Sequence, residues 1–316
     1  MLPVEKRILI KVAHMYYIDN LKQSDIGKKL GVDRTTVSKY LKKALENGIV
    51  KITVEQDTYE DLENALENRF GLKEAFVVGK SYDTKVVKRS MAEVGLNLLK
   101  RIMRNKQTIG LAWGSTIGEL AQMAGESKLP VLDADFVPLD GGPENIESEY
   151  HVNTLCYNLA KAFGGRSYYI YAPAITKTPE IREAILQDDN YSKIAAFWDK
   201  LDIAIVGIGA PVRSSNLVWT GGFGREAIES LARTGAVGEI CSVFYDLNGQ
   251  PVNTIFSDRT IAVPLEKLRE ARYSIGMAYL REKVPAIMGA LRGRLINVLI
   301  TDEETAKILL NEPDRG

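Results

Sequence analysis

The sequence predicts an α/β protein in two parts, a small all-helical head over residues 1–55 and a larger, mainly parallel α/β body over 73–316. Three observations predict it. The first fifty residues carry short helical stripes parted by a glycine turn, and the chain beyond Ala75 alternates apolar strands with amphipathic helices. The two parts also differ in charge: residues 1–52 hold eleven Lys and Arg against five Asp and Glu, a net +6, which leaves −6 on the rest of a neutral chain. A basic head on an acidic body suits a protein that holds a polyanion at one end and repels it elsewhere.

The head is read element by element. Residues 4–18 place Ile8, Val12, Met15 and Tyr16 on one helical face. A second helix, about Gln23–Leu30, turns Ile26 and Leu30 inward and closes at Gly31, where a left-handed residue is needed. Lys22 stands where a Ser or Thr would cap that helix better. Asp33 caps a third helix, Arg34–Asn47, with Val37, Leu41 and Leu45 buried; Gly48 ends it, and 48–55 alternates as a short strand. Three short helices with a tight turn between the second and third make a helix-turn-helix, here of winged-helix type.

With Val37 and Leu41 inward, the third helix leaves Arg34, Thr35, Thr36, Ser38, Lys39 and Lys42 for its outer face or N-terminus. Lys43 and, from the second helix, Gln23 join them as DNA-binding candidates. Arg can fork onto guanine, hydroxyls reach phosphates or base edges, and lysines neutralise phosphates. The plain alternative is a solvated basic helix in a protein-binding winged domain; turn, cap, stripe and basic face together favour DNA.

An acidic amphipathic linker helix follows over 56–72, with Leu62, Leu66 and Phe70 in line, suited to packing on the body or on a partner subunit. In the body, strands are expected at 75–79, 108–113, 135–139, 167–172, 202–209, 239–245, 274–279 and 296–301. Helices are expected near 84–104, 115–125, 148–163, 179–198, 223–234, 283–292 and 302–310. Such alternation argues a Rossmann-like open sheet covered on both faces, with ligands at the carboxyl ends of its strands.

Three loops at strand ends are informative. Residues 110–117 (GLAWGSTI) pass from strand through Gly114, Ser115 and Thr116 into a helix, where backbone N–H groups, hydroxyls and the helix dipole converge as an anion cradle. Gly141-Gly142-Pro143 and Gly207-Ile208-Gly209 are the other two. Each alone serves equally well as a βα turn; three together point to a site. Neither a Walker lysine nor a GxGxxG follows a strand, which argues against nucleotide hydrolysis and dinucleotide binding.

With only His14 and His151 in the chain, no Ser-His-Asp set, HExxH or metal cluster can be assembled, so catalytic residues, metal and cofactor are all expected to be absent. His151 reads equally as a ligand contact or a packing residue. Cys156 and Cys241 lie in apolar segments outside any CxxC pair and read as reduced core thiols. No stretch approaches the ~20 continuous apolar residues of a membrane span, and the charged start is unlike a signal peptide. A cytoplasmic protein without a membrane partner is expected.

Over nearly its whole length the chain resembles the SorC family of bacterial sugar-responsive transcriptional regulators. The resemblance is carried by RTTVSKYLKKALENGIV, GLAWGST, the DGGP loop, YHVNTL, VGIGAP, GAVGEICSVFYDLNGQPV and ARYSIGMAYLREKVPAIMGALRGRLINVLITD, in that order. The ESEYHVNTL and ARYSIG stretches look most like regulators of sorbitol or sorbose operons. The resemblance implies a sugar-isomerase-type effector domain without catalysis, a dimer or tetramer on operator DNA, and a sugar or sugar phosphate as effector. Mapped by motif, Gly114, Ser115 and Thr116 would hold the phosphate and Lys283 would supply positive charge. Gly141 and Gly142 would line the sugar, Glu239 and Asp246 would accept its hydroxyls, and Asn153 is a further candidate. Asp140 offers no amine to an aldehyde, so binding at that loop is expected to be non-covalent. The rival readings are an active sugar-phosphate isomerase with an appended head, with Glu239 or Asp246 as base, and a constitutive architectural DNA binder.

Overall fold

The computed structural model describes residues 3–50, 59–143, 146–210 and 225–313. It divides into two compact units, Met1–Asp57 and Thr58–Gly316.

The first unit holds α1 (Pro3–Ala13), continued by a π-helical turn at His14–Ile18, then α2 (Gln23–Leu30) and α3 (Arg34–Glu46). Its core is Leu9, Val12 and Ala13 from α1, Ile26 from α2, and Val37, Leu41 and Ala44 from α3. Some stripe residues differ from expectation. Met15 and Tyr16 fall in the π turn and are only half-buried, and Leu45 is 40% exposed while Ala44 takes the inner place. The turn between α2 and α3 is held by glycine twice. Gly31 adopts φ +67°, and a Cβ on Gly27 would lie 2.7 Å from the Val32 carbonyl oxygen, so α2 can approach the turn only without a side chain there. Asp33 caps α3 by accepting from the Thr36 N–H at 2.7 Å, whereas Lys22 makes no side-chain cap on α2. Of the strand expected over 48–55, residues 48–50 form a turn and bend; the remainder lies outside the described residues.

The second unit opens with α4 (Glu60–Phe70), the expected linker helix. Glu67 and Glu63 accept from the N–H groups of Ala75 and Val77, tying α4 to the first strand, so the helix belongs to the body by its contacts. There follow β1 (Glu74–Val78), α5 (Thr84–Ile102), β2 (Thr108–Leu111), α6 (Ser115–Glu126), β3 (Asp135–Pro138), α7 (Val152–Phe163), β4 (Arg166–Ser167), α8 (Pro179–Leu186), α9 (Asp189–Trp198) and β5 (Leu201–Gly207). The chain closes with α10 (Arg225–Arg233), β6 (Gly238–Ile240), β7 (Val243–Tyr245), α11 (Leu265–Glu270), β8 (Tyr273–Met277), α12 (Val284–Arg292), β9 (Val298–Asp302) and α13 (Glu303–Asn311). Seven strands form one parallel sheet in the order β1-β9-β8-β5-β2-β3-β4. The central strands are buried on both faces, as a helix-covered parallel sheet requires.

Three elements correct the sequence expectation. The strand expected at 167–172 pairs only through Ser167, because the backbone beyond turns to other partners: both the N–H and C=O of Ile170 are taken by the Asn153 side chain, and the Ala172 carbonyl by the Gly142 N–H. The strand expected at 239–245 is instead a two-stranded antiparallel hairpin apart from the main sheet. Its turn residues Cys241 and Ser242 both have positive φ, +51° and +63°, the pattern of a two-residue hairpin turn. The helix expected over 179–198 breaks at Gln187–Asp188, where Asp188 caps α9 by accepting from the Asn190 N–H.

Candidate functional site

The strand order places a switch in winding direction between β2 and β5. After β2 the chain runs outward to β3 and β4, and after β5 it returns on the other side to β8 and β9. Connections that part in this way leave a crevice at the carboxyl ends of the two strands, where open α/β sheets bind ligands. A cavity of about 220 Å³ lies there, lined from the β2–α6 loop (Trp113, Gly114, Ser115, Thr116) and the β5 loop (Gly207 to Gly209).

Two lysines and a helix start supply the cationic part of the lining. Gly114, at φ +141° where a side chain is strained, opens α6 without a side-chain cap, so the first-turn N–H groups remain for a guest. Lys88 of α5 reaches across to donate from Nζ to Ser115 Oγ at 2.9 Å. Lys283, just before α12, lines the same wall. Burial lowers its pKa, Glu239 opposes that shift, and Lys88 adds to it. A dianion there would satisfy two lysines and a helix N-terminus at once.

The other polar groups are acidic. Glu239 of β6 is 8% exposed, and its Oε2 accepts from the Ser242 N–H at 3.1 Å across the hairpin turn. Gly209 makes room for it, since a Cβ there would lie 2.3 Å from Glu239 Oε1. Asp140, following β3, is fully buried, and burial pushes its pKa well above the usual carboxylate range, with Glu239 adding to the shift. Hydrogen bonding from Trp113 opposes that shift. Ile117, Met277 and Tyr279 contribute to the remaining wall.

Of the expected effector contacts, the structure brings together Gly114, Ser115, Thr116, Glu239 and Lys283. It places four elsewhere. Gly141 and Gly142 pack against neighbouring chain: a Cβ on the first would lie 2.2 Å from the Pro173 carbonyl oxygen, and on the second 1.9 Å from His151 Nε2. Asn153 clamps Ile170, and Asp246 accepts from the N–H groups of Asn248 and Gln250 to form a turn. His151 caps α7 through Nδ1, accepting from the Asn153 N–H, and burial lowers its pKa toward the neutral ring. Lys88 was missed by sequence reading, because nothing local distinguishes it from the other lysines of an exposed helix start. Asp140 was read only for the amine it lacks.

In the head, Arg34, Thr35, Ser38, Lys39, Lys42 and Lys43 are exposed along α3, while Gln23 and Thr36 are half-buried. The hydroxyls of Thr35 and Thr36 both donate to Asp33, which holds its carboxyl down to about 2, so they serve the cap first. Lys42 lies 3.9 Å from Glu46 one turn on.

The fold and cavity define a class: a ligand-binding α/β domain carried behind a helix-turn-helix head. Residues 54–311 match the Sugar-bind family, described as "Putative sugar-binding domain". The chain is 39% identical over 311 residues to the sorbitol operon regulator of Klebsiella pneumoniae, covering 96% of this chain and 98% of that one. It is 30% identical to the deoxyribonucleoside regulator of Bacillus subtilis, covering 98% of each. The crystal structure of the full-length Klebsiella regulator SorC superposes with a TM-score of 0.75, covering 96% and 98% of the two chains. A probable sor operon regulator from Shigella flexneri, 38% identical, superposes at 0.74 over 81% of this chain and all of that one. The chain belongs to the SorC family of sugar-binding transcriptional regulators.

Proposed function

We propose that this chain is a DNA-binding transcriptional regulator of a carbohydrate catabolic operon, of the sorbitol or sorbose type, controlled by a sugar phosphate held in the cavity between β2 and β5. The observation that carries this reading is the lining of the cavity, which holds Lys88, Lys283 and the start of α6 together with Asp140 and Glu239. A phosphate with a hydroxylated chain matches that mixed lining, since the anion seeks cations and helix N–H groups while hydroxyls can donate to carboxylates. The basic face of α3 supports operator binding, with Arg34, Ser38, Lys39, Lys42 and Lys43 as its surface. Pairs of heads carried by a dimer or tetramer would match operator half-sites in the cytoplasm. A ligand that binds one subunit arrangement better than another would change operator affinity by that difference. The protein acts as a sensor rather than a catalyst, because a carboxylate already tied to the Ser242 N–H is poorly placed to shuttle a proton.

The test is a thermal-shift screen of hexitol phosphates, ketohexose phosphates and free sugars, followed by operator titration with each binder. The expected result is a raised melting temperature with phosphorylated ligands and an altered operator affinity. Lys283→Ala should weaken phosphorylated ligands far more than free sugars; equal loss for both removes the phosphate role of that lysine. Unchanged operator affinity with every sugar phosphate removes the sensing function.

A further inference from the structure

A second cavity, of about 240 Å³, adjoins the β6–β7 hairpin between Arg182 of α8, Ser242 to Phe244, and parts of the chain from Pro251 to Pro264. It shares no lining residue with the first: at the hairpin turn Cys241 lines the one and Ser242 the other.

Ser242 is an expensive residue for that place. At φ +63° it stands in the left-handed region, where a two-residue hairpin turn ordinarily carries Gly, Asn or Asp. It is 1% exposed, and its Oγ has no hydrogen-bond partner. The bond its N–H gives to Glu239 Oε2 does not explain the hydroxyl, since any residue but proline supplies that N–H. A buried polar group that the chain leaves unbonded calls for a partner from outside the chain.

The rest of the lining decides what that partner is. Arg182 donates from Nε to the Thr260 carbonyl, and among the described residues its guanidinium meets no carboxylate. Tyr191, which its charge also reaches, is held neutral by burial and does not compete for it. Thr260 and Ser257 spend their hydroxyl protons on the Phe256 and Val252 carbonyls. Phe244, Val252, Val263 and Pro264 make an apolar wall. One fixed cation, one free hydroxyl and an apolar wall suit a guest with a single negative charge and a short carbon body. A flat guanidinium matches the two oxygens of a carboxylate, whereas a phosphate dianion would keep one charge uncompensated. The cavity is also smaller than the roughly 300–1,000 Å³ of drug-sized sites, so the guest is small.

We infer that this cavity is a second ligand site, taking a small monocarboxylate that pairs with Arg182 and accepts from Ser242 Oγ while its carbon chain lies against Phe244, Val252 and Val263. The inference does not depend on what fills the first cavity.

The experiment titrates the full-length protein with sodium butanoate at constant ionic strength, by calorimetry and saturation-transfer NMR, with 1-butanol as the uncharged probe. Arg182→Met, Ser242→Ala and, as a control from the first cavity, Lys283→Met are compared with wild type. Butanoate should bind saturably and at least ~10-fold more tightly than 1-butanol, and inorganic phosphate should not displace it. Arg182→Met should weaken butanoate ~10-fold or more, Ser242→Ala ~3-fold or more, and Lys283→Met by less than ~2-fold. Without ligand, Ser242→Ala should melt no lower than wild type, because an unbonded buried hydroxyl is removed. Absence of saturable butanoate binding overturns the inference and leaves water as the partner of the hydroxyl. Displacement by inorganic phosphate, or a loss in Lys283→Met matching that in Arg182→Met, overturns it by placing butanoate in the first cavity. Wild-type affinity in both Arg182→Met and Ser242→Ala overturns it as well.

Discussion

Replacing Ile26 by alanine should unfold the head and leave the ligand pocket intact. Ile26 is fully buried among Val12, Val37 and Leu41, in a unit of only 57 residues. At about 0.05–0.15 kcal/mol per residue, a unit of that size holds roughly 3–9 kcal/mol of stability. Truncating a fully buried Ile to Ala costs about 2–5 kcal/mol, since the transfer loss is joined by a cavity that three rigid helices cannot close. The substitution therefore removes from about a fifth of that stability to all of it, according to where in the two ranges the head lies. The tryptophans supply a clean assay. All three, Trp113, Trp198 and Trp219, lie outside residues 1–57, so fluorescence follows the body alone while far-UV circular dichroism follows both units. The expected result is a low-temperature dichroism step with no fluorescence counterpart, loss of DNA binding, and sugar-phosphate affinity within ~2-fold of wild type. A single transition in which both signals shift together would refute the independence of the two units.

Three further outcomes follow from single contacts. Lys283→Met should stabilise the ligand-free protein near neutral pH, because burial lowers the native pKa below the ordinary lysine value of 10.5. Between those two values the unfolded chain binds more protons, so wild-type stability rises with pH there, and the advantage of Lys283→Met should shrink towards pH 10.5 in denaturant titrations. Asp33→Asn should weaken the head and flatten its acid response: the native pKa of about 2 lies below the ordinary aspartate value of 3.8, so the wild-type contribution is complete above 3.8 and disappears as pH falls through about 2. Dichroism of the head between pH 5 and pH 2 reads this, and an unchanged acid profile in Asp33→Asn contradicts the cap. Gly141→Ala should destabilise the body by roughly 1–3 kcal/mol through overpacking, because its Cβ would meet the Pro173 carbonyl oxygen at 2.2 Å. The folded fraction should bind ligand normally, and a selective loss of affinity would return Gly141 to the pocket.

Much of the fold was legible because its signals are local. The glycine at 31, the Asp33 cap and the +6 charge identify the head from fewer than sixty residues, and the apolar runs of β1, β2, β3, β5, β8 and β9 each announce a buried strand. Misreadings occurred where a segment's partner is distant in sequence. Residues 239–245 have the composition of one strand, but the chain turns back at Cys241–Ser242, two non-glycine residues in a conformation composition does not advertise. Residues 168–172 look like a strand and lose their ladder to Asn153 and Gly142, which no local pattern predicts. The four effector candidates that lie outside the cavity are polar or glycine residues whose chemistry suits a ligand equally well and a turn, clamp or close packing contact better.

The sequence by itself determined that a basic helix-turn-helix precedes an acidic α/β domain, and that the β2–α6 loop carries the glycine and hydroxyls of an anion cradle. Periodicity, caps and charge are carried by neighbouring residues, so they survive in one dimension. Only the tertiary structure decided which groups share the cavity beside that loop. Lys88, Lys283, Asp140 and Glu239 come from four separate elements, and a parallel sheet whose winding reverses between β2 and β5 is what brings them to one cavity. The burial of Asp140 is likewise a property of the packed chain, since desolvation depends on every element around a side chain and on none of its sequence neighbours alone.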